Sequence, residues 1–242
     1  EMNTILFDSV YTFNSKKIGY LVLKGFIPPT KTELNTCFAK FKSENVEELI
    51  VDLRYNGGGS IDVSNHFASL IGGSTTSGKP YTIFSYNNRY TYENQTINYL
   101  SLPNSLTLNQ TLFITTNGTA SASELVINGL KPYMNVALIG SRTHGKPVGM
   151  PVLRYNEFDW VFLPICISLR NADNVGDYFD GLAVNVEATD DYTLKFGDVN
   201  EASFAAALNY LGVSPVKSAE KKIVKGSTLV TGKGLYEEIG AW

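Results

Sequence analysis

A serine and a lysine, placed after two successive predicted strands, could together carry out nucleophilic catalysis. Ser121 stands in the run 117–124, between a predicted strand and a predicted helix, and Lys146 stands in a glycine-rich loop after the next strand. A serine hydroxyl is a poor nucleophile until a base takes its proton. The order strand, tight turn, helix, strand and loop therefore predicts a hydrolase in which Ser121 is the nucleophile and Lys146 is its base.

Lysine can act as this base only if its pKa falls far below its ordinary value of about 10.4. A pKa of roughly 7 corresponds to about 4 kcal/mol in favour of the neutral amine. Burial can supply this preference, and the glycines, proline and valine around Lys146 add no charged partner. His144 and Glu124 are the other nearby candidates for the base. Glu124 lies on the same helix as Ser121, where it is better suited to capping the first turn.

Three consecutive glycines, Gly57, Gly58 and Gly59, follow an earlier apolar strand. Because such a run costs backbone entropy, it indicates positive φ angles or a close backbone approach. A strand, a glycine turn and a helix present backbone N–H groups to an anion. We therefore predict an oxyanion hole built from the N–H groups of Gly58, Gly59 and Ala122, each worth about 3–4 kcal/mol. Asn56 and Gly57 are candidates for substrate contact or support, and a plain tight connection is the alternative interpretation.

Composition excludes several other classes of function. The 242 residues are 43% hydrophobic, which is enough for a full core, and the net charge of -3 gives no reason to expect a nucleic acid partner. No apolar run approaches the roughly 18 residues that span a bilayer. Two histidines and no Cys/His cluster predict no metal site. Residues 140–147 resemble a phosphate-binding loop, but Pro147 replaces the required Ser or Thr, so we expect no nucleotide and no cofactor.

Alternating strand and helix patterns predict an α/β domain with a largely parallel sheet. The expected strands are 5–13, 18–23, 48–53, 111–116, 136–140 and a long one at 158–167, and the expected helices are 30–43, 62–71, one beginning at Ser121, and 204–211. Residues 30–33 fit a capping box at a helix start. Residues 1–213 are interpreted as one core domain, and residues 214–242, which are polar and lysine-rich, as a C-terminal tail.

Three motifs in order, at 52–59, 119–124 and 145–146, resemble the carboxy-terminal processing (tail-specific) protease family, and most of all its envelope-associated members from Bacteroides-type bacteria. The resemblance implies a ClpP/crotonase-like α/β core with a largely parallel sheet flanked by helices. It implies Ser121 as nucleophile and Lys146 as base, and a protein or peptide substrate cut near its C-terminus. It also implies an extracytoplasmic location, in the periplasm or cell envelope.

Two features depart from the family pattern. Met150 stands where family members carry a glutamine that orients the lysine, so Lys146 must be positioned in another way. The PDZ domain common in the family is not visible in the sequence. A catalytically silent member that binds a peptide or an apolar ligand in the same cleft is therefore the alternative. A crotonase-like acyl-CoA enzyme would leave Ser121 and Lys146 unexplained.

Overall fold

The protein forms twelve strands and four helices in a computed structural model that describes residues 3–155 and 157–213. The strands are Ile5–Phe13 (β1), Lys16–Leu23 (β2), Glu48–Asp52 (β3), Pro80–Ser85 (β4), Gln95–Asn98 (β5), Gln110–Thr115 (β6), Asn135–Gly140 (β7), Val148–Gly149 (β8), Leu153–Tyr155 (β9), Trp160–Phe162 (β10), Ile167–Arg170 (β11) and Val186–Glu187 (β12). The helices are Thr30–Ser43 (α1), Ile61–Thr76 (α2), Ala122–Leu130 (α3) and Ala202–Tyr210 (α4), with a 3₁₀ turn at Thr91–Glu93.

The main sheet has six strands in the order β1-β2-β3-β6-β7-β12. Strand β1 pairs antiparallel with β2, and each of the other neighbouring pairs is parallel. The predicted α/β class with a largely parallel sheet flanked by helices is confirmed. Since parallel strands end at the same edge, the loops that follow β3, β6 and β7 emerge side by side.

Both faces of this sheet are covered, which explains why its strands are almost continuously apolar. Side chains alternate along a strand, so Leu49 and Val51 of β3 enter the core beneath α1, α2 and α3. Ile50 points the other way, into a smaller core that includes Phe204 and Leu208 of α4.

A second, four-stranded sheet has the order β5-β4-β11-β8, and β9 and β10 form a separate two-stranded ribbon. The predicted long strand over 158–167 is wrong. Residues 160–162 turn back to pair with 153–155, and a new strand starts only at Ile167. Pro164 lies in the break, where its missing N–H costs no ladder hydrogen bond.

The predicted helices are present, but their ends are set by tertiary contacts. Helix α1 has Pro29 at its N-cap without a side-chain cap, so the predicted capping box is wrong. Glu33 instead accepts the N–H groups of Thr4 and Ile5, at 2.9 and 2.8 Å, and ties α1 to the start of β1. Helix α2 runs past the predicted end to Thr76, with a kink at Gly73 where φ is 51°.

The proposed division into a core domain at 1–213 and a tail at 214–242 stays a prediction, since the tail lies outside the described residues. Within the described ranges, no helix is both long and apolar enough to cross a membrane.

Candidate active site

The turns after β3, β6 and β7 meet at the carboxyl edge of the sheet and carry the predicted site residues. The Ala120 N–H donates to the Asn56 carbonyl at 3.1 Å, which joins the first turn to the second. The His144 N–H donates to the Thr119 carbonyl at 3.0 Å, which joins the third turn to the second. The structure therefore brings together three segments that are far apart in sequence.

Ser121 is the N-cap residue of α3 and has a strained backbone. Its φ of 56° and ψ of −114° lie outside the regions that a residue with a side chain ordinarily adopts. Such strain persists only where the surroundings impose it, and it is concentrated at functional sites. Neighbouring hydrogen bonds hold the turn in place, including one from the Ser123 hydroxyl to the Asn56 carbonyl at 2.9 Å. The half-buried Ser121 is thus presented at the start of a buried helix.

The glycine turn approaches Ser121 so closely that one of its residues must lack a side chain. Gly58 has φ of 100°, and a Cβ there would lie 2.8 Å from the Ala122 nitrogen and 2.9 Å from the Ser121 Cβ. Gly59 has φ of 138°, and a Cβ there would lie 2.3 Å from the Phe26 carbonyl oxygen. Gly57 has no atom within 4 Å of a Cβ position. The close approach predicted for the turn therefore belongs to its second and third glycines.

Alanine substitution at two adjacent glycines should distinguish the effect of this close packing from the general effect of a glycine on the backbone entropy of the unfolded chain. Gly58→Ala is expected to lower the free energy of unfolding by about 2–3 kcal/mol, because the methyl group meets backbone and the positive φ is strained. Gly57→Ala should change it by less than about 0.5 kcal/mol. Urea unfolding of both variants measures the difference. Equal effects at the two positions would contradict the assignment.

The backbone N–H groups near Ser121 differ in their availability. The Gly58 N–H donates to the Asn56 Oδ1 at 3.0 Å, so it would have to leave that oxygen to bind an oxyanion. The N–H groups of Gly59 and Ala122 have no acceptor among the described residues. Asn56 is fully buried, and its Nδ2 donates to the Leu23 carbonyl at 2.9 Å, so it supports the turn from within.

Glu124 joins the Ser121 turn to the Lys146 loop, a role that goes beyond the predicted helix cap. This fully buried carboxylate accepts the Ser121 N–H at 2.9 Å and the Lys146 N–H at 2.8 Å on the same oxygen, Oε2. Its Oε1 accepts the Gly145 N–H at 2.7 Å and the Thr143 hydroxyl at 2.6 Å. The backbones of the predicted nucleophile and base are therefore held by one side chain.

Lys146 is buried with a free amine. The residue is 7% exposed, and Nζ has no hydrogen-bond partner in the part of the chain that the structure describes. Burial lowers the pKa of Lys146 below 10.5, and the nearby Glu124 carboxylate opposes this decrease. The hydrogen bond from Ser121 Oγ to Lys146 Nζ is not made, although such contacts commonly tighten only when substrate binds.

His144 and Met150, the two remaining candidates, contribute little through their side chains in this structure. The His144 side chain is exposed, and only its backbone is tied to the Ser121 turn. Met150 is half-buried just after β8 and offers no strong hydrogen-bonding group to the amine of Lys146. Positioning of the lysine thus rests on its backbone contact with Glu124.

Sequence reasoning missed an ionic network on Arg54, which lies between the end of β3 and the glycine turn. The buried Arg54 guanidinium binds Asp52 at 2.7 Å, and Asp190 and Glu201 at 2.9 Å each. Glu201 also caps α4 by accepting the Ser203 and Phe204 N–H groups. The sequence does place Asp52 and Arg54 two residues apart at a strand end, which could have indicated an ion pair. It gives no sign of the partners 136 and 147 residues away.

The fold and this strand–turn–helix site define the class of proteins to which the chain is similar. The structure superposes on a putative S41 protease from Bacteroides fragilis with a TM-score of 0.80 and 27% identity, over 86% of this chain and 58% of that one. The photosystem II D1 C-terminal processing protease has the same fold, with a TM-score of 0.63 and 19% identity over 78% of this chain and 49% of that one.

Residues 17–193 match peptidase family S41, so the chain belongs to this family of serine-type peptidases. A carboxyl-terminal-processing protease of Picosynechococcus is 26% identical over 141 residues, which are 58% of this chain and 32% of the relative. A probable CtpA-like serine protease of Staphylococcus epidermidis is 24% identical over 167 residues, 66% of this chain and 33% of the relative. The chain thus spans about a third of the length of these relatives.

Proposed function

We propose that this chain is a serine endopeptidase that cleaves protein or peptide substrates through an acyl-enzyme on Ser121, with Lys146 as general base. One observation supports this most: the buried amine of Lys146 has no hydrogen-bond partner among the described residues, and the Lys146 backbone shares the Oε2 of Glu124 with the backbone of Ser121. The backbone nitrogens of Ser121 and Lys146 are therefore no farther apart than the sum of these two hydrogen-bond lengths. Burial, which lowers the pKa of Lys146, favours the neutral amine that a general base requires.

In the proposed reaction, Ser121 Oγ attacks the scissile carbonyl carbon while Lys146 Nζ accepts the hydroxyl proton. The N–H groups of Ala122 and Gly59, and of Gly58 once Asn56 releases it, would stabilise the oxyanion. Lys146 then gives its proton to the leaving amine, and the C–N bond breaks. A water molecule hydrolyses the ester by the reverse sequence, with Lys146 again acting as base.

The family supports a protein or peptide as the substrate, and the names of two relatives support the proposed cleavage position. Relatives named as carboxyl-terminal-processing proteases support a polypeptide cut near its C-terminus. The extracytoplasmic location implied by the sequence resemblance remains a prediction.

A fluorophosphonate probe tests the proposed nucleophile, because it reacts with activated serines and needs no known substrate. Wild-type protein should be labelled at Ser121, Ser121→Ala should not be labelled, and Lys146→Ala should be labelled at least about 100-fold more slowly. Ser101→Ala, at an exposed serine, is the matched control and should react like the wild type. Labelling of Ser121→Ala at the wild-type rate would exclude the proposal.

A catalytically silent binder of peptides or apolar ligands is the second candidate. The missing Ser121–Lys146 hydrogen bond and Met150 in place of a polar orienting residue favour it. Absence of labelling in a folded wild type, together with peptide binding measured by calorimetry, would support this candidate over the first.

A further inference from the structure

Three asparagines in the sequence are followed directly by glycine: Asn56, Asn117 and Asn128. An asparagine can react with the backbone of the next residue, because the nitrogen of that residue can attack the carbon of the side-chain amide. Glycine in the next position favours this reaction, since it has no Cβ to hinder the approach and its backbone is the least restricted. The local structure then determines which of the three asparagines can react.

Asn56 and Asn128 are held in place by their surroundings. Asn56 is fully buried, its Nδ2 donates to the Leu23 carbonyl at 2.9 Å, and its Oδ1 accepts the Gly58 N–H at 3.0 Å. Asn128 is also fully buried, and its Nδ2 donates to the Val175 carbonyl at 2.8 Å. It lies inside α3, where the backbone N–H groups are directed at the preceding turn of the helix. Either side chain could reach the next nitrogen only after local unfolding.

Asn117 lies instead on the surface, at the centre of a turn with Gly118. The Thr119 N–H closes this turn by donating to the Thr116 carbonyl at 2.9 Å. Asn117 and Gly118 are both exposed, and the side chain of Asn117 makes no hydrogen bond to any described residue. The Gly118 N–H has only a long contact, of 3.3 Å, with Thr116 Oγ1. Since exposed side chains change rotamer within nanoseconds, the amide of Asn117 can approach the Gly118 nitrogen without unfolding.

We propose that Asn117 is a site of self-catalysed deamidation. The Gly118 nitrogen loses its proton to a base in the solvent and attacks Asn117 Cγ. The bond from Cγ to Nδ2 breaks, and Nδ2 takes a proton from water and leaves as ammonia. A five-membered succinimide ring remains. Water then opens this ring, either at Cγ, which gives aspartate, or at the backbone carbonyl carbon, which gives isoaspartate.

The isoaspartate product would alter the turn that leads to Ser121. Its backbone runs through Cβ and Cγ of residue 117, so the turn gains one carbon atom and a negative charge. Two contacts of Thr119 fix the far side of this turn. Its carbonyl accepts the His144 N–H at 3.0 Å, and its hydroxyl donates to the Leu53 carbonyl at 2.7 Å. A longer turn strains these contacts, so the backbone of Ser121 is expected to shift. The effect on catalysis rests on the proposed function, whereas the modification does not.

Mass spectrometry of the whole chain, incubated at physiological temperature and mildly alkaline pH, tests the site. Fragmentation assigns each gain of the mass difference between an amide and a carboxylate to one residue. In the folded protein, Asn117 should react at least tenfold faster than Asn56 or Asn128. In concentrated urea, the three should react at similar rates, because each precedes a glycine. A rate at Asn117 in the folded protein no greater than that of the two buried asparagines would overturn the proposal.

Fluorophosphonate labelling of the incubated protein tests the effect on the Ser121 turn. The fraction with isoaspartate at 117 should be labelled at least tenfold more slowly than fresh protein. Asn117→Asp, which adds the charge without the extra backbone carbon, is the matched control and should be labelled like fresh wild type. Equal labelling of the isoaspartate fraction and fresh protein would refute the effect on the turn. If fresh protein were not labelled at all, the proposed function would fail, and the mass measurement would still decide whether Asn117 is the modified residue.

Discussion

Replacing Glu124 with glutamine is expected to lower both the stability and the activity of the protein more than any other substitution of similar size. The carboxylate accepts four hydrogen bonds, and glutamine would point an N–H₂ group at donors. Hydrogen bonds to charged groups are worth about 1.5–3 kcal/mol each, so we expect a loss of at least about 3 kcal/mol in unfolding free energy. Fluorophosphonate labelling of Ser121 should slow by about 100-fold or more, since small misplacements of a catalytic group have effects of this size.

Urea unfolding and labelling rates, compared with Glu93→Gln at an exposed glutamate, provide the measurement and its control. Only folded molecules are expected to be labelled at Ser121. If the labelling rate falls by more than the fraction of unfolded protein explains, the substitution has changed the relative positions of Ser121 and Lys146. If Glu124→Gln behaved like Glu93→Gln, the carboxylate could not be the element that joins the two turns.

Lys146→Met is expected to make the protein more stable while greatly slowing the labelling of Ser121. The buried amine of Lys146 has no hydrogen-bond partner in the described part of the chain, and such a group costs about 1–3 kcal/mol. Methionine fills similar space without a polar group, so the free energy of unfolding should rise by about that amount at neutral pH. Labelling should fall by about 100-fold to 10,000-fold, which is the usual contribution of a general base.

The pH dependence of this difference has a definite sign. Because burial places the folded-state pKa of Lys146 below 10.5, the unfolded chain binds more protons at this residue between the two values. Wild-type stability should therefore rise with pH in that window, and the advantage of Lys146→Met should shrink towards pH 10.5. The labelling rate of the wild type should also rise with pH, with a midpoint below 10.5, as the amine loses its proton.

Lys24→Met, at an exposed lysine, supplies the control, with little change in stability or labelling at any pH. A Lys146→Met protein less stable than the wild type would show that the amine is charged and that neighbouring groups offset the cost of burying it. Lys146 could then not be the proposed base.

Sequence patterns predicted the parts of the molecule in which local signals and tertiary packing agree. Two such parts are the β3 strand with its glycine turn and the β6 strand with the helix that follows Ser121. Each combines an apolar run with turn or capping residues that fit few other structures. The ribbon was missed because residues 158–167 are apolar without alternation, so no period indicates where the chain reverses.

Positions whose roles depend on distant partners could not be derived from spacing. Glu33 matched a capping pattern but bonds to the start of β1 instead. Glu124 was recognised as a helix cap, whereas its bonds to the Lys146 loop depend on how the turn after β7 folds back. The Gly58 N–H was expected to be available to an oxyanion. It instead donates to the Asn56 side chain, because the turn brings these two residues together.

The contact between Arg54 and Glu201 has a consequence for the protein as it leaves the ribosome. Arg54 is synthesised 147 residues before Glu201, which is one of the three carboxylates that bind it and also caps α4. Until α4 emerges, the segment just before the glycine turn carries an arginine that lacks one of its partners. A growing chain should therefore hold this turn loosely through most of its translation and acquire a finished site only when nearly all of the described core has been made.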